Sequence, residues 1–141
     1  MSSADSVAVA LVFVWLGMVL AISFLEAPIK FRAPEVTLRI GLGIGRLVFR
    51  ALNAVECALA VAIAIALVVG DPATSSVVGF VVAAVVLAAQ LVAVRPALTS
   101  RSDAVLAGHE GPRSHAHVVY VALELVKVAA LVVAGVGLLS G

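Results

Sequence analysis

Four apolar runs, about Val7–Leu25, Leu47–Val69, Val77–Val94 and Val118–Leu139, constrain this 141-residue chain more than any other feature. A helix needs about 20 mostly apolar residues to cross a bilayer, and each run is close to that length. A soluble helical bundle would show polar outer faces at helical spacing. Stretches such as Ala58 to Val69 and Val77 to Ala89 are apolar all round. Composition agrees: 64% of residues are hydrophobic, 12% are charged and the mean hydropathy is +1.26. Ordinary globular chains carry about twice that share of charge. The expected fold is an all-α membrane protein of four transmembrane helices, arranged as two repeated helical hairpins in one domain.

Basic residues set the expected orientation. Lys30, Arg32, Arg39, Arg46 and Arg50 follow the first span, and Arg95, Arg101 and Arg113 follow the third. The connection Gly70-Asp71-Pro72-Ala73-Thr74 carries no Lys or Arg, and neither does the chain after Lys127. Positively charged loops stay in the cytoplasm, which puts both termini outside a bacterial inner membrane. Met1 to Ser6 holds Asp5 and no basic residue, unlike a secretory signal, so the first span is expected to be retained. Arg outnumbers Lys, and Ala and Val dominate, a composition associated with bacteria of high-GC genome. The net charge of +1 offers no basic surface for nucleic acid. Cys57 is the lone cysteine, so neither an intrachain disulfide nor a thiolate metal cluster is open to this chain. In apolar surroundings its thiol is expected to be inert.

The cytoplasmic connections carry helix signals. Ala33-Pro34-Glu35 reads as a helix start, with proline in the first turn and an acid at the positive end of the helix dipole. That helix is expected to run through Gly41-Leu42-Gly43-Ile44-Gly45 into the second span, with a bend at the glycines. Ser100 or Ser102 with Asp103 reads as the opening of a shorter helix ending near Gly108. His109-Glu110-Gly111-Pro112 then reads as a turn.

Pro28, Glu35, Gly43 and Glu56 recur 68 positions later as Pro96, Asp103, Gly111 and Glu124. Chance is one explanation in so apolar a chain. Duplication is the other, and the shared hydropathy pattern of the halves favours it. Two like hairpins imply a pseudo-twofold axis along the membrane normal, with Glu56 and Glu124 at one depth.

The polar residues inside the spans are the candidate site. His117, Tyr120, Glu124 and Lys127 share one narrow helical face. Arg46, Arg50, Asn53 and Glu56 form a broader stripe on the second span, Ser23, Glu26 and Lys30 mark the inner end of the first, and Gln90 adds to the third. A carboxylate at the bilayer centre costs about 2.5–3.5 kcal/mol, so such groups face inward and find partners. One reading is structural: Glu124 pairs with Lys127, and Arg50 or Asn53 satisfies Glu56. The other is a cavity where Glu56 and Glu124 bind a cation or exchange protons, with Lys127, Asn53, Tyr120, His117 and Glu26 around them. A hydrated cavity would favour transport, and salt-bridged carboxylates in a dry bundle would favour a scaffold.

Other motifs are weak. His109, His115, His117 and Glu110 offer metal-ligand atoms, but His115 and His117 diverge on a helix, so no metal site is expected. Haem ligation across helices would need a histidine in a second span. The Gly41–Gly45 run lacks the strand of a dinucleotide loop and a Walker lysine. Ala54, Ala58, Ala62 and Ala66, and the Gly17–Ala21 pair, form small-residue ridges that admit a close helix. Trp15 is expected to lie between helices. No catalytic constellation stands out, and no cofactor is expected.

Phe24-Leu25-Glu26-Ala27-Pro28-Ile29-Lys30-Phe31-Arg32-Ala33-Pro34, Val94-Arg95-Pro96 and His117-Val118-Val119-Tyr120 together resemble the small four-helix membrane proteins similar to transmembrane protein 205. That family has no assigned function. It tends to carry an asparagine-leucine pair after the fourth-span histidine, where this chain has Glu124-Leu125. The resemblance implies the topology and carries over no catalytic residue. Three functions stay open: a small cation- or proton-coupled transporter, acting as a homo-oligomer; an accessory or scaffold subunit of a larger membrane complex; and an enzyme acting on lipid or quinone, using the His115–Tyr120 region and Glu26.

Overall fold

A computed structural model describes residues 1–108 and 115–140, with the side chains at 97, 101, 102, 105 and 115–117 outside that set. The described residues are helical with no strand, and four helices are long and apolar enough to cross a membrane. Helix α1 covers Ser3–Arg32, α2 Leu38–Val69 and α3 Thr74–Val94; α4, Arg95–Leu106, continues α3 directly, and α5 covers His115–Ser140. The helices alternate in direction. One end of the bundle carries Lys30, Arg46 and Arg95 and is called the basic end. The other carries the chain termini and is called the terminal end.

Local chemistry fixes the helix boundaries. Ser2 caps α1 by accepting the Asp5 N–H at 3.1 Å. Thr37 caps α2 by accepting the Ile40 N–H at 3.2 Å. The helix start expected at Ala33-Pro34-Glu35 is therefore displaced to Leu38. Pro34 and Glu35 occupy a turn instead, with Glu35 in the left-handed region at φ 69° and Val36 N–H donating to Ala33 O at 3.2 Å. That turn reverses the chain, which an uninterrupted helix would not do. α2 then runs through Gly41–Gly45 as expected. Its 32 residues measure about 48 Å at about 1.5 Å each, longer than a hydrocarbon core of about 30 Å.

The short helix expected to open at Ser100 or Ser102 does not start there: α4 is an extension of α3. It ends as expected near Gly108, whose φ of 95° suits a glycine. The expected turn at His109-Glu110-Gly111-Pro112 lies outside the described residues.

Two segments depart from α geometry. Leu20–Glu26 and Gln90–Val94 are π-helical, each ending two residues before a proline. Ala27 N–H donates to Ile22 O, and Arg95 N–H donates to Gln90 O, five residues back in both cases. A proline inside a helix lacks an N–H, and its ring clashes with the carbonyl four residues earlier. A widened turn relieves both problems without breaking the helix.

Within the bundle α1 packs on α2 and α3 on α5, and the two hairpins meet mainly through α1 against α5. The contact that a strict twofold would make equivalent, α2 against α3, is slight. The core lies toward the terminal end and contains Ala8, Val12, Ile63, Ala83, Leu131 and Ala134. Close approach of α3 and α5 depends on Gly79: a Cβ there would sit 2.7 Å from Ala130 O. The ridges expected to admit a neighbour behave differently. Ala66 is buried, but Ala54, Ala58, Gly17 and Ala21 lie on the outer surface, and close helix contacts fall instead at glycines such as Gly79.

Candidate intramembrane site

Halfway along the bundle the polar faces of all four long helices converge. Lys127 on α5 places its ammonium 2.5 Å from Glu56 Oε2 of α2 and 2.5 Å from Glu124 Oε1 of its own helix. Its third N–H donates to Gln90 Oε1 of α3 at 2.9 Å, so the lysine has used all its donors. Gln90 returns a bond through Nε2 to Glu124 Oε1 at 2.8 Å. Helix α1 completes the ring: Trp15 Nε1 donates to Glu56 Oε2 at 2.7 Å, and the Ser23 hydroxyl donates to Glu124 Oε2 at 2.5 Å. Glu56, Lys127 and Trp15 are 0% exposed and Glu124 and Gln90 are 1% exposed, so the centre of the cluster is sealed, while Ser23 at its edge is half-buried.

Helix geometry explains the convergence. Glu124 and Lys127 are three residues apart and share a face of α5. Gln90 opens the π segment of α3, and Ser23 lies within that of α1. Both groups that reach Glu124 from outside its helix therefore stand on widened turns, a recurrent location for functional side chains.

Charge does not balance. Two carboxylates share one ammonium, leaving a formal charge of −1 inside the cluster. Among the described residues Glu56 Oε1 has no hydrogen-bond partner, nor does Asn53 Oδ1 one turn nearer the basic end, and both atoms are buried. Buried polar atoms are ordinarily satisfied, so this pair marks a locus able to take up a proton, a small cation or water.

The structural pairing expected for Glu56 is partly corrected. Glu124 and Lys127 do pair, but neither Arg50 nor Asn53 satisfies Glu56; Lys127 and Trp15 do so. Arg50 is exposed, because its place on α2 turns it outward. Tyr120 is buried one turn from Glu124 and accepts from Arg95 Nη2 at 3.2 Å. Glu26 stands apart, 3.7 Å from Lys30 Nζ, with its side chain 37% exposed. His117 lies on α5, but its side chain falls outside the described set. No group of three metal-ligating side chains occurs among the described residues.

The sequence reading missed Trp15 as a ligand of Glu56. A buried indole N–H needs an acceptor, and that requirement was a usable signal. It also missed Phe49. This ring packs edge-on against Tyr120 at 5.9 Å and lies 5.3 Å from Arg95 Cζ and 5.8 Å from Lys30 Nζ. Such cation–ring contacts hold both cations near the basic end. There Arg46 also bridges to Asp103 at 2.6 Å, tying α2 to α4. Cys57 is exposed on the outer face of α2, away from the cluster.

No protein-family model matches this chain, and neither a curated protein nor a solved structure is detectably similar to it.

Proposed function

We propose that this chain is a small multi-pass protein of the bacterial inner membrane that takes up and releases a proton or small cation at the Glu56–Lys127–Glu124 cluster, as part of coupled transport. The observation that carries the reading is the mismatch of two carboxylates to one ammonium, with Glu56 Oε1 unpartnered among the described residues. A purely structural ion pair needs one carboxylate. The second adds a charge that costs about 2.5–3.5 kcal/mol at the bilayer centre, and a bound cation removes it. Chains of ionisable side chains inside membranes serve proton relays for this reason.

In this reading the basic end faces the cytoplasm and both termini face outward, following the basic residues. The resemblance to the transmembrane protein 205-like proteins fits that topology. An ancient duplication is supported by the paired π segments, each just before a matched proline, and by the donor each glutamate receives from the first helix of its own hairpin. The unequal contacts between hairpins mark where the halves have diverged. Four helices enclose little space, so a second copy supplies the missing wall of a pathway.

The test is proton flux into liposomes holding the purified protein, read with an internal pH dye under an imposed potential. Flux above that of empty liposomes is expected, falling at least tenfold in Glu56→Gln. Full activity in the Glu56→Gln, Glu124→Gln double variant would rule the site out.

A second reading, an accessory or scaffold subunit, is favoured by the burial of the salt-bridged Glu56, Glu124 and Lys127 and by the small residues Ala54 and Ala58 on the outer face. It predicts stoichiometric companions after mild-detergent isolation and no flux. Recovery of the protein alone counts against it.

A further inference from the structure

The atoms around the cluster differ along the bundle axis. Toward the terminal end, Glu56 and Lys127 are followed by apolar side chains alone: Val12, Ala8, Ile63, Leu131 and Ala134 are all buried. The next buried polar groups, Asp5 and Ser76, lie beyond that layer. Asp5 is ten residues from Trp15 on α1, about 15 Å at about 1.5 Å per residue. Toward the basic end, polar atoms continue. Among the described residues, Asn53 Oδ1 and Arg95 Nε are buried without a hydrogen-bond partner, and Glu26 Oε2, also buried, has only its 3.7 Å ion pair with Lys30. Ser23, which donates to Glu124, stands one helical turn from Glu26, and the Glu26 side chain reaches the surface.

We propose that in this conformation the cluster exchanges protons with the basic end only, along a hydrated polar path on which Glu26 is the outer relay and Ser23 the inner one, and that passage to the terminal end requires the apolar layer to open. This inference rests on the proton-exchange reading and adds its sidedness. Hydronium protonates the Glu26 carboxylate and leaves as water. Ser23 then passes its hydroxyl proton to Glu124 Oε2 and accepts one from the Glu26 side in the same event, so the serine carries no net charge. The buried atoms of Asn53 and Arg95, and the Glu26 oxygen held only by its long ion pair with Lys30, supply the bonds that hold water along the way, because such groups in folded proteins are paired with protein or water. Lys30 and Arg95, held by Phe49, and Tyr120 border this path. Lys127, Glu56 and Glu124 close its inner end. The apolar layer between Val12 and Leu131 offers a proton no partner.

Cysteine labelling of the full chain tests the path, in a Cys57→Ser background and in membrane vesicles of each sidedness. The probe is a charged, membrane-impermeant thiosulfonate. Asn53→Cys is expected to react at least tenfold faster from the basic face than from the terminal face, and Val12→Cys to resist from both. Equal reaction of Asn53→Cys from the two faces, or ready reaction of Val12→Cys, overturns the proposal. Glu26→Cys serves as reporter if Asn53→Cys does not fold. In liposomes, Glu26→Gln is expected to slow flux about tenfold. Wild-type flux in Glu26→Gln overturns the relay and leaves the proton-exchange reading standing. If the wild-type protein carries no flux, that reading fails, while one-sided labelling still supports the path.

Discussion

The terminal-end half of the bundle and the basic-end half are built from the same helices but held by different forces. In the terminal half, small side chains let backbones meet: Gly79 lies against Ala130, and Ala8, Ala83 and Ala134 are buried beside Val12 and Leu131. Lipid tails are as apolar as leucine, so helices in a membrane gain most from such close dispersion contact. In the basic half the helices are interrupted by π turns, and contacts run through ions, rings and hydrogen bonds with several atoms left over. The difference teaches where each kind of stability resides. The terminal half is fixed by shape, and the basic half by polar partners.

Three substitutions sharpen that contrast. Lys127→Met should be the most damaging, about 3–5 kcal/mol, because it leaves two carboxylates buried without their cation. Thermal unfolding in detergent, followed by circular dichroism, would show it. Adding Glu56→Gln and Glu124→Gln should restore most of the loss, and a triple variant as unstable as the single one would deny that charge is the cause. Gly79→Ala should cost about 1–3 kcal/mol by forcing α3 away from α5. An unchanged melting temperature would mean that the terminal half is looser than its geometry implies. Arg46→Ala should cost about 0–1 kcal/mol, since its bridge to Asp103 is solvent-exposed at the basic end. Added salt should lower the melting temperature of the parent more than that of this variant.

Much of this was legible in the amino-acid order, for reasons that also mark its limits. Apolar runs revealed the four long helices because hydropathy is summed along one segment. Glu56, Glu124 and Lys127 stood out because charge within such a run has few explanations. Which group satisfies Glu56 was not legible, since Trp15 is 41 residues away and the choice depends on how α1 turns against α2. Nor was the direction of the alanine ridge, because lipid and protein interior ask for the same apolar surface. The start of α2 was misplaced because Pro34-Glu35 is as suited to a turn as to a first helical turn. Thr37, with its hydroxyl on the Ile40 N–H, decides between them.

The shared ammonium also bears on heredity. A lineage that mutates the Lys127 codon first strands two anions at once, whereas one that first converts Glu56 or Glu124 to glutamine keeps a matched pair throughout. The order of viable mutational steps is thereby constrained. Among descendants of this gene, a carboxylate should be lost before the lysine, with the lysine the last of the three to go.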